Sequence, residues 1–117
     1  MEFAFDRSHA RVVAHRMNDR SFGLTMRRSM EESQSGRAPG AASSMFKYYG
    51  TEQNIRRYEL LLSIMGTQAV GWDSANFSGD EYTTTRAWLR SKANSIEGGT
   101  SEVQLNIIAK RVLGLPD

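Results

Sequence analysis

Proline occurs at only two positions, Pro39 and Pro116. An interior proline removes a backbone donor and clashes with the preceding turn, so this spacing leaves most of the chain free to form long helices. The apolar residues fall accordingly. Asp6 to Gln34 reads as a first helix with an uneven apolar side of Val12, Val13, Met17, Phe22, Met26 and Met30. Gly23 weakens it by about 1 kcal/mol relative to alanine. Ser35 to Gly40 is a turn. A second helix, Ala41 to Met65, carries Ala42, Met45, Phe46, Tyr49, Tyr58, Leu61, Leu62 and Met65 at three-and-four spacing. Gly66 and Gly71 break it, and a surface loop with Trp72 and Phe77 follows. The third helix starts at Ser78, with Glu81 completing a capping box, and runs to about Asn94, burying Trp88, Leu89, Ala93 and Ile96. The fourth, Ser101 to Leu113, is expected to be capped by Ser101 with Gln104 as the reciprocal partner. Glu102 lies in its first turn, and Gly114 and Pro116 stop it. With no β-type alternation and no repeat, the expected fold is all-α: an antiparallel bundle of about four helices.

At 117 residues the chain supports one domain, and 39% apolar with 24% charged residues describe a folded protein rather than a disordered one. Fifteen basic against thirteen acidic residues leave a formal charge of +2, with no basic stripe for nucleic acid. The absence of cysteine excludes disulfides, zinc–thiolate sites and a cysteine nucleophile. The first residues lack the apolar segment of a secretory signal, and the apolar stretch around Leu60 to Leu62 is too short to span a bilayer. A cytoplasmic location is the expectation.

Few residues point to chemistry. His9 and His15 do not share a helix face, and no acidic residue stands at ligand spacing with either, so no metal site is expected. No serine lies in a nucleophile elbow and no glycine-rich phosphate loop follows a strand. Arg27 and Arg28 read as a solvated helix face, or as a contact to a cofactor phosphate or acidic partner. The six methionines read as core filler, and Trp72 as either an interface anchor or a half-exposed core residue. That leaves Glu97-Gly98-Gly99-Thr100, a turn ahead of a helix N-terminus, whose free N–H groups suit an anion or the polar edge of a cofactor. A plain capped loop is the other reading.

The run from Thr85 through Arg86-Ala87-Trp88-Leu89-Arg90-Ser91-Lys92-Ala93-Asn94-Ser95 to Ile96-Glu97-Gly98-Gly99-Thr100-Ser101-Glu102 resembles one branch of the acyl-CoA dehydrogenase family. The likeness extends from about Phe22 to Pro116 and includes the turn Gly36-Arg37-Ala38-Pro39-Gly40. These flavoenzymes desaturate acyl thioesters between the α and β carbons. Each subunit has an N-terminal helical domain, a middle β-domain and a C-terminal four-helix domain. The chain resembles the last of these without its first helix, which implies a fragment of a larger three-domain subunit, inactive alone.

The resemblance implies FAD as cofactor and places Thr100 and Glu102 in the turn that holds it. Ser63, Gly66 and Thr67 fall where many members reach the flavin of a neighbouring subunit, Gly66 being the position that fits that pattern. Gly98 and Gly99 fall on the substrate side. Glu97 is the candidate catalytic base. Many members carry the base in a Glu-Gly-Thr run, whereas here a second glycine intervenes, so Glu97 stands one residue from that position. The implied partners are an acyl-CoA substrate, an electron-transfer flavoprotein or similar acceptor, and further subunits in a homo- or hetero-oligomer. Alternatives are a non-catalytic scaffold subunit of a mixed assembly, and a flavin monooxygenase or oxidase on the same fold.

Overall fold

A computed structural model describes residues 2–36, 42–73 and 75–116. Four α-helices follow one another: α1 (Glu2–Gln34), α2 (Ala42–Met65), α3 (Gly79–Ser91) and α4 (Ser101–Ile107). No strand occurs among the described residues. A single turn of 3₁₀-helix, Gly66–Val70, ends α2; a second, Lys92–Ser95, ends α3; a π-turn, Ile108–Val112, ends α4. The third and fourth helices are therefore shorter in α-form than the expected spans to Asn94 and Leu113. Of the turn Ser35 to Gly40, residues 37–40 lie outside the described residues.

The helix α2 is the hub, packing against α1, α3 and α4. Its pairing with α1 is antiparallel. Phe22 of α1 meets Phe46 edge-on at 6.0 Å between ring centroids and Tyr49 at 5.4 Å. Further along, Gln53 donates to the His15 carbonyl, and Arg11 donates to Ser63 Oγ at 3.2 Å. The half-buried residues of α1, Val12, His15, Phe22, Thr25, Met26 and Ser29, recur at spacings of three, four and seven that mark one helix face. Contacts to α3 also run antiparallel: Thr85 donates to the Ala69 carbonyl, and Lys92 pairs with Glu59 at 2.7 Å.

The capping box at α3 forms as its residues dictate: Ser78 accepts from the Glu81 N–H while the Glu81 carboxylate accepts from the Ser78 N–H. At α4 the capping differs from expectation. Thr100, not Ser101, is the N-cap, its hydroxyl accepting from the Val103 N–H at 3.3 Å. Gln104 turns away from any cap and donates to the Gly98 carbonyl. Thr100 and Ser101 are equally able to cap; the turn preceding them decides which residue meets the helix in extended geometry.

The core is thin. Leu60, 8% exposed, is the one large apolar side chain that is buried among the described residues. Ile96 and Leu89, expected inside, are 67% and 46% exposed. Most deeply buried positions are polar and tied to backbone carbonyls: Gln53 to His15, Thr85 to Ala69, Ser91 to Trp88, Gln104 to Gly98. Those bonds satisfy groups that burial would otherwise penalise.

Candidate functional site

The candidate site begins where α3 runs out. As the helix tightens into its 3₁₀ turn, the Ala93 carbonyl accepts from both Ile96 N–H and Glu97 N–H, each at 3.0 Å. The Asn94 carbonyl turns instead to α2, accepting from Lys47 Nζ at 3.0 Å and from Thr51 Oγ1 at 3.4 Å. Helix-terminal carbonyls lack intrahelical partners and carry the negative end of the dipole, so a lysine is a suitable donor there.

Gly98 and Gly99 follow with φ of 69° and 94°. Two successive positive φ values reverse the chain at little steric cost only with glycine. A Cβ on Gly99 would stand 2.7 Å from Gln104 Nε2. The reversal brings the Gly99 carbonyl back to Lys47 Nζ at 2.6 Å and delivers Thr100 to the start of α4. Ser101 Oγ donates to Glu52 of α2 at 3.4 Å.

Glu97 sits at the crest of this turn, half-exposed. Its carboxylate accepts from Arg90 Nη2 at 3.1 Å and Asn94 Nδ2 at 2.5 Å, while Asn94 Oδ1 accepts from Asn54. The Arg90 hydrogen bond, the Asn94 hydrogen bond and the Arg90 charge hold the Glu97 pKa below its ordinary value. Glu102 is also shifted down, by its own backbone N–H and the Thr100 hydroxyl.

Beside the turn lies an open cleft of about 430 Å³ between α1, α2 and the 3₁₀ end of α3. Phe22, Met26 and Phe46 form its apolar wall; Lys47, Thr51, Asn54, Asn94 and Glu97 form its polar side, with Gly50 between. Glu97 is the sole carboxylate in that lining. The arrangement offers a ligand an apolar surface and one ionised carboxylate, with the glycine reversal beside the cleft backed by Gln104 and Lys47.

Glu97, Gly98, Gly99, Thr100 and Glu102 thus come together in one turn. Ser63, Gly66 and Thr67 lie elsewhere. Ser63 is sixteen positions beyond Lys47 on α2, roughly 24 Å along the axis at 1.5 Å per residue. There Ser63 donates to the Leu60 carbonyl and accepts from Arg11, and Gly66, with φ of 61°, ends the helix in left-handed geometry, with Thr67 exposed beside it. Residues not singled out from sequence complete the site: Lys47, Thr51 and Asn54 on α2, Arg90 on α3 and Asn94, together with Gln104, which was read only as a capping partner. A signal for three of them was present. Lys47, Thr51 and Asn54 are polar at steps of four and three, one continuous stripe along α2.

No group of three metal-ligating side chains gathers among the described residues, and no helix there is long and apolar enough to cross a membrane.

Residues 7–113 match the family profile described as acyl-CoA dehydrogenase, C-terminal domain. A stretch of 58 residues is 41% identical to the acyl-CoA dehydrogenase IpdE1 of Mycolicibacterium smegmatis, and equally to that of Mycobacterium tuberculosis. In both cases the aligned stretch spans 50% of this chain and 14% of the relative's length. No solved structure gives a significant match.

Proposed function

The chain belongs to the acyl-CoA dehydrogenase family, as its C-terminal domain, and on that premise we propose that it forms one wall of the active site of an FAD-dependent dehydrogenase acting on acyl-CoA thioesters. The observation that carries this reading is the Glu97–Thr100 turn: a carboxylate, a double positive-φ glycine reversal and a capped helix start at the edge of a half-apolar cleft. An open cleft on a thin core fits a contribution to a larger site better than a complete one.

The residues present fit a flavin's polar edge. The Gly98–Gly99 reversal leads into a helix N-terminus, and Thr100 and Glu102 stand directly beyond it; these would hold the cofactor. Bound FAD supplies an acceptor for the hydride leaving the β carbon. Gly98 and Gly99 would lie against the thioester. Glu97, ionised and at hydrogen-bond reach of the cleft, would take the α-proton on a carboxylate oxygen, which requires its bonds to Arg90 and Asn94 to loosen as the substrate enters. Ser63, Gly66 and Thr67, far along α2, would serve a second flavin, that of a neighbouring subunit in an oligomer. Reoxidation would fall to an electron-transfer flavoprotein or similar acceptor in the cytoplasm.

The test is anaerobic addition of acyl-CoA thioesters to the complete polypeptide encoded by the gene. Bleaching of the flavin band is expected. A yellow protein unchanged by a broad panel of chain lengths and ring-bearing acyl groups would sink the reading.

One observation favours a second reading, a non-catalytic subunit of a mixed assembly. Arg90 and Asn94 engage both Glu97 oxygens and lower its proton affinity, the opposite of what a general base needs. Co-purification with a paralogous subunit that carries all the activity would support it; full turnover by a homo-oligomer would remove it.

A further inference from the structure

We propose that Lys47 is the positioning residue of this site, an ammonium strap on α2 that holds the Glu97–Thr100 turn in its cleft-facing conformation. Its bearing on catalysis rests on the flavoenzyme reading above; its grip on the turn does not.

Lys47 reaches two backbone oxygens that bracket Glu97, the Asn94 carbonyl three residues before it and the Gly99 carbonyl two residues after, at 3.0 and 2.6 Å. The Asn94 carbonyl lies past the α-helical ladder, and the Gly99 carbonyl lies in a reversal where neither residue on the 98–99 segment has a side chain to offer. A charged donor to a carbonyl is a stronger and shorter bond than a neutral one. A neutral side chain of similar length could not bridge both oxygens with comparable strength.

The strap is part of a stripe. One turn along, Thr51 donates to the same Asn94 carbonyl, and Asn54 donates to Asn94 Oδ1 at 3.3 Å. That second bond leaves the Asn94 amide nitrogen pointing at Glu97 Oε1. Three polar residues on one face of α2 therefore set the backbone of the turn and the orientation of its carboxylate. The Lys47 side chain also runs beneath the reversal, its Cε 3.8 Å from where a Cβ on Gly98 would stand. Lys47 lines the cleft together with Phe46 and Gly50 while its ammonium group is engaged on the turn.

The experiment compares the complete polypeptide with its Lys47→Met and Lys47→Arg variants by peptide-resolved hydrogen exchange, FAD retention and steady-state kinetics. In Lys47→Met, exchange across residues 95–101 should accelerate about tenfold or more while α1 and the start of α3 keep wild-type rates. Lys47→Arg, still able to donate to two carbonyls, should recover most of that protection. Where the turn holds the flavin and thioester, Lys47→Met should lower kcat or FAD affinity about tenfold or more, in step with the loosened turn. Unchanged exchange at 95–101, or equal acceleration throughout the chain, overturns the strap. A loosened turn with wild-type kcat and FAD affinity overturns its positioning role. A wild-type protein that takes up no FAD, with the turn still loosening in Lys47→Met, overturns the flavoenzyme reading and leaves the strap standing.

Discussion

Glu97 and Gly99 show how much one residue can carry in a turn of this kind. Glu97 is held ionised by Arg90 and Asn94, and Glu102 by its own N–H and Thr100. A carboxylate whose folded pKa is depressed contributes stability above its unfolded value, and loses it as pH falls through the folded value. Acid unfolding should therefore steepen below the ordinary value of 4.5, and Glu97→Gln should flatten that slope; parallel acid profiles would contradict the ion pair. The same variant tests catalysis. Loss of about 10²–10⁴ in kcat is the mark of a general base, and a loss under about tenfold would leave Glu97 only as an anchor. Gly99 is held at φ 94° with Gln104 against the space a Cβ would take. Gly99→Ala should cost roughly 1–3 kcal/mol in urea unfolding.

At the scale of the element, helix ends matter more than helix interiors. Thr100 accepts from the Val103 N–H and caps α4. Thr100→Ala should cost about 1 kcal/mol of stability and Ser101→Ala clearly less, and the reverse order would place the cap on Ser101. In the middle of α1, Gly23 has no neighbour within 4 Å of its missing Cβ and a helical backbone. Gly23→Ala should raise stability by about 0.5–1 kcal/mol, read from the thermal midpoint of the complete polypeptide. On the surface loop, Arg86 lies over the Trp72 ring at 4.8 Å and the Tyr82 ring at 5.0 Å while donating to the Trp72 carbonyl. That contact ties the loop to α3 and gives Trp72 a local partner.

The whole molecule is long and loosely covered. Its extents are 53 × 30 × 30 Å and its radius of gyration 17.9 Å, against roughly 13 Å for a compact domain of similar length. Met17, Leu24 and Met30 of α1 are 64%, 51% and 59% exposed; Met17 and Leu24 stand two residues past His15 and Phe22, which meet α2, and so lie on the opposite face of the helix. Apolar surface on this scale associates in water. The 117-residue chain alone should elute in dilute gel filtration as a self-associated species; a well-behaved monomer would count against an apolar face that needs covering.

Proline placement, apolar spacing and the Ser78–Glu81 box made an all-α chain of four helices legible in the sequence, since helix formation and termination depend on neighbours within a turn. The run from Thr85 to Glu102 made the family legible for a different reason, the specificity of a long motif. What depends on residues far apart was not legible. Lys47 and Gly99 are fifty-two positions apart, yet their 2.6 Å bond shapes the site; in sequence Lys47 is one more charge on a helix. Ile96 and Leu89 fit a buried face by periodicity, but no described helix comes to lie over them. Thr100 and Ser101 are equivalent caps until the reversal at Gly98–Gly99 fixes which one enters the helix. Local rules choose elements; only the packing of α2 against the end of α3 decides what meets Glu97.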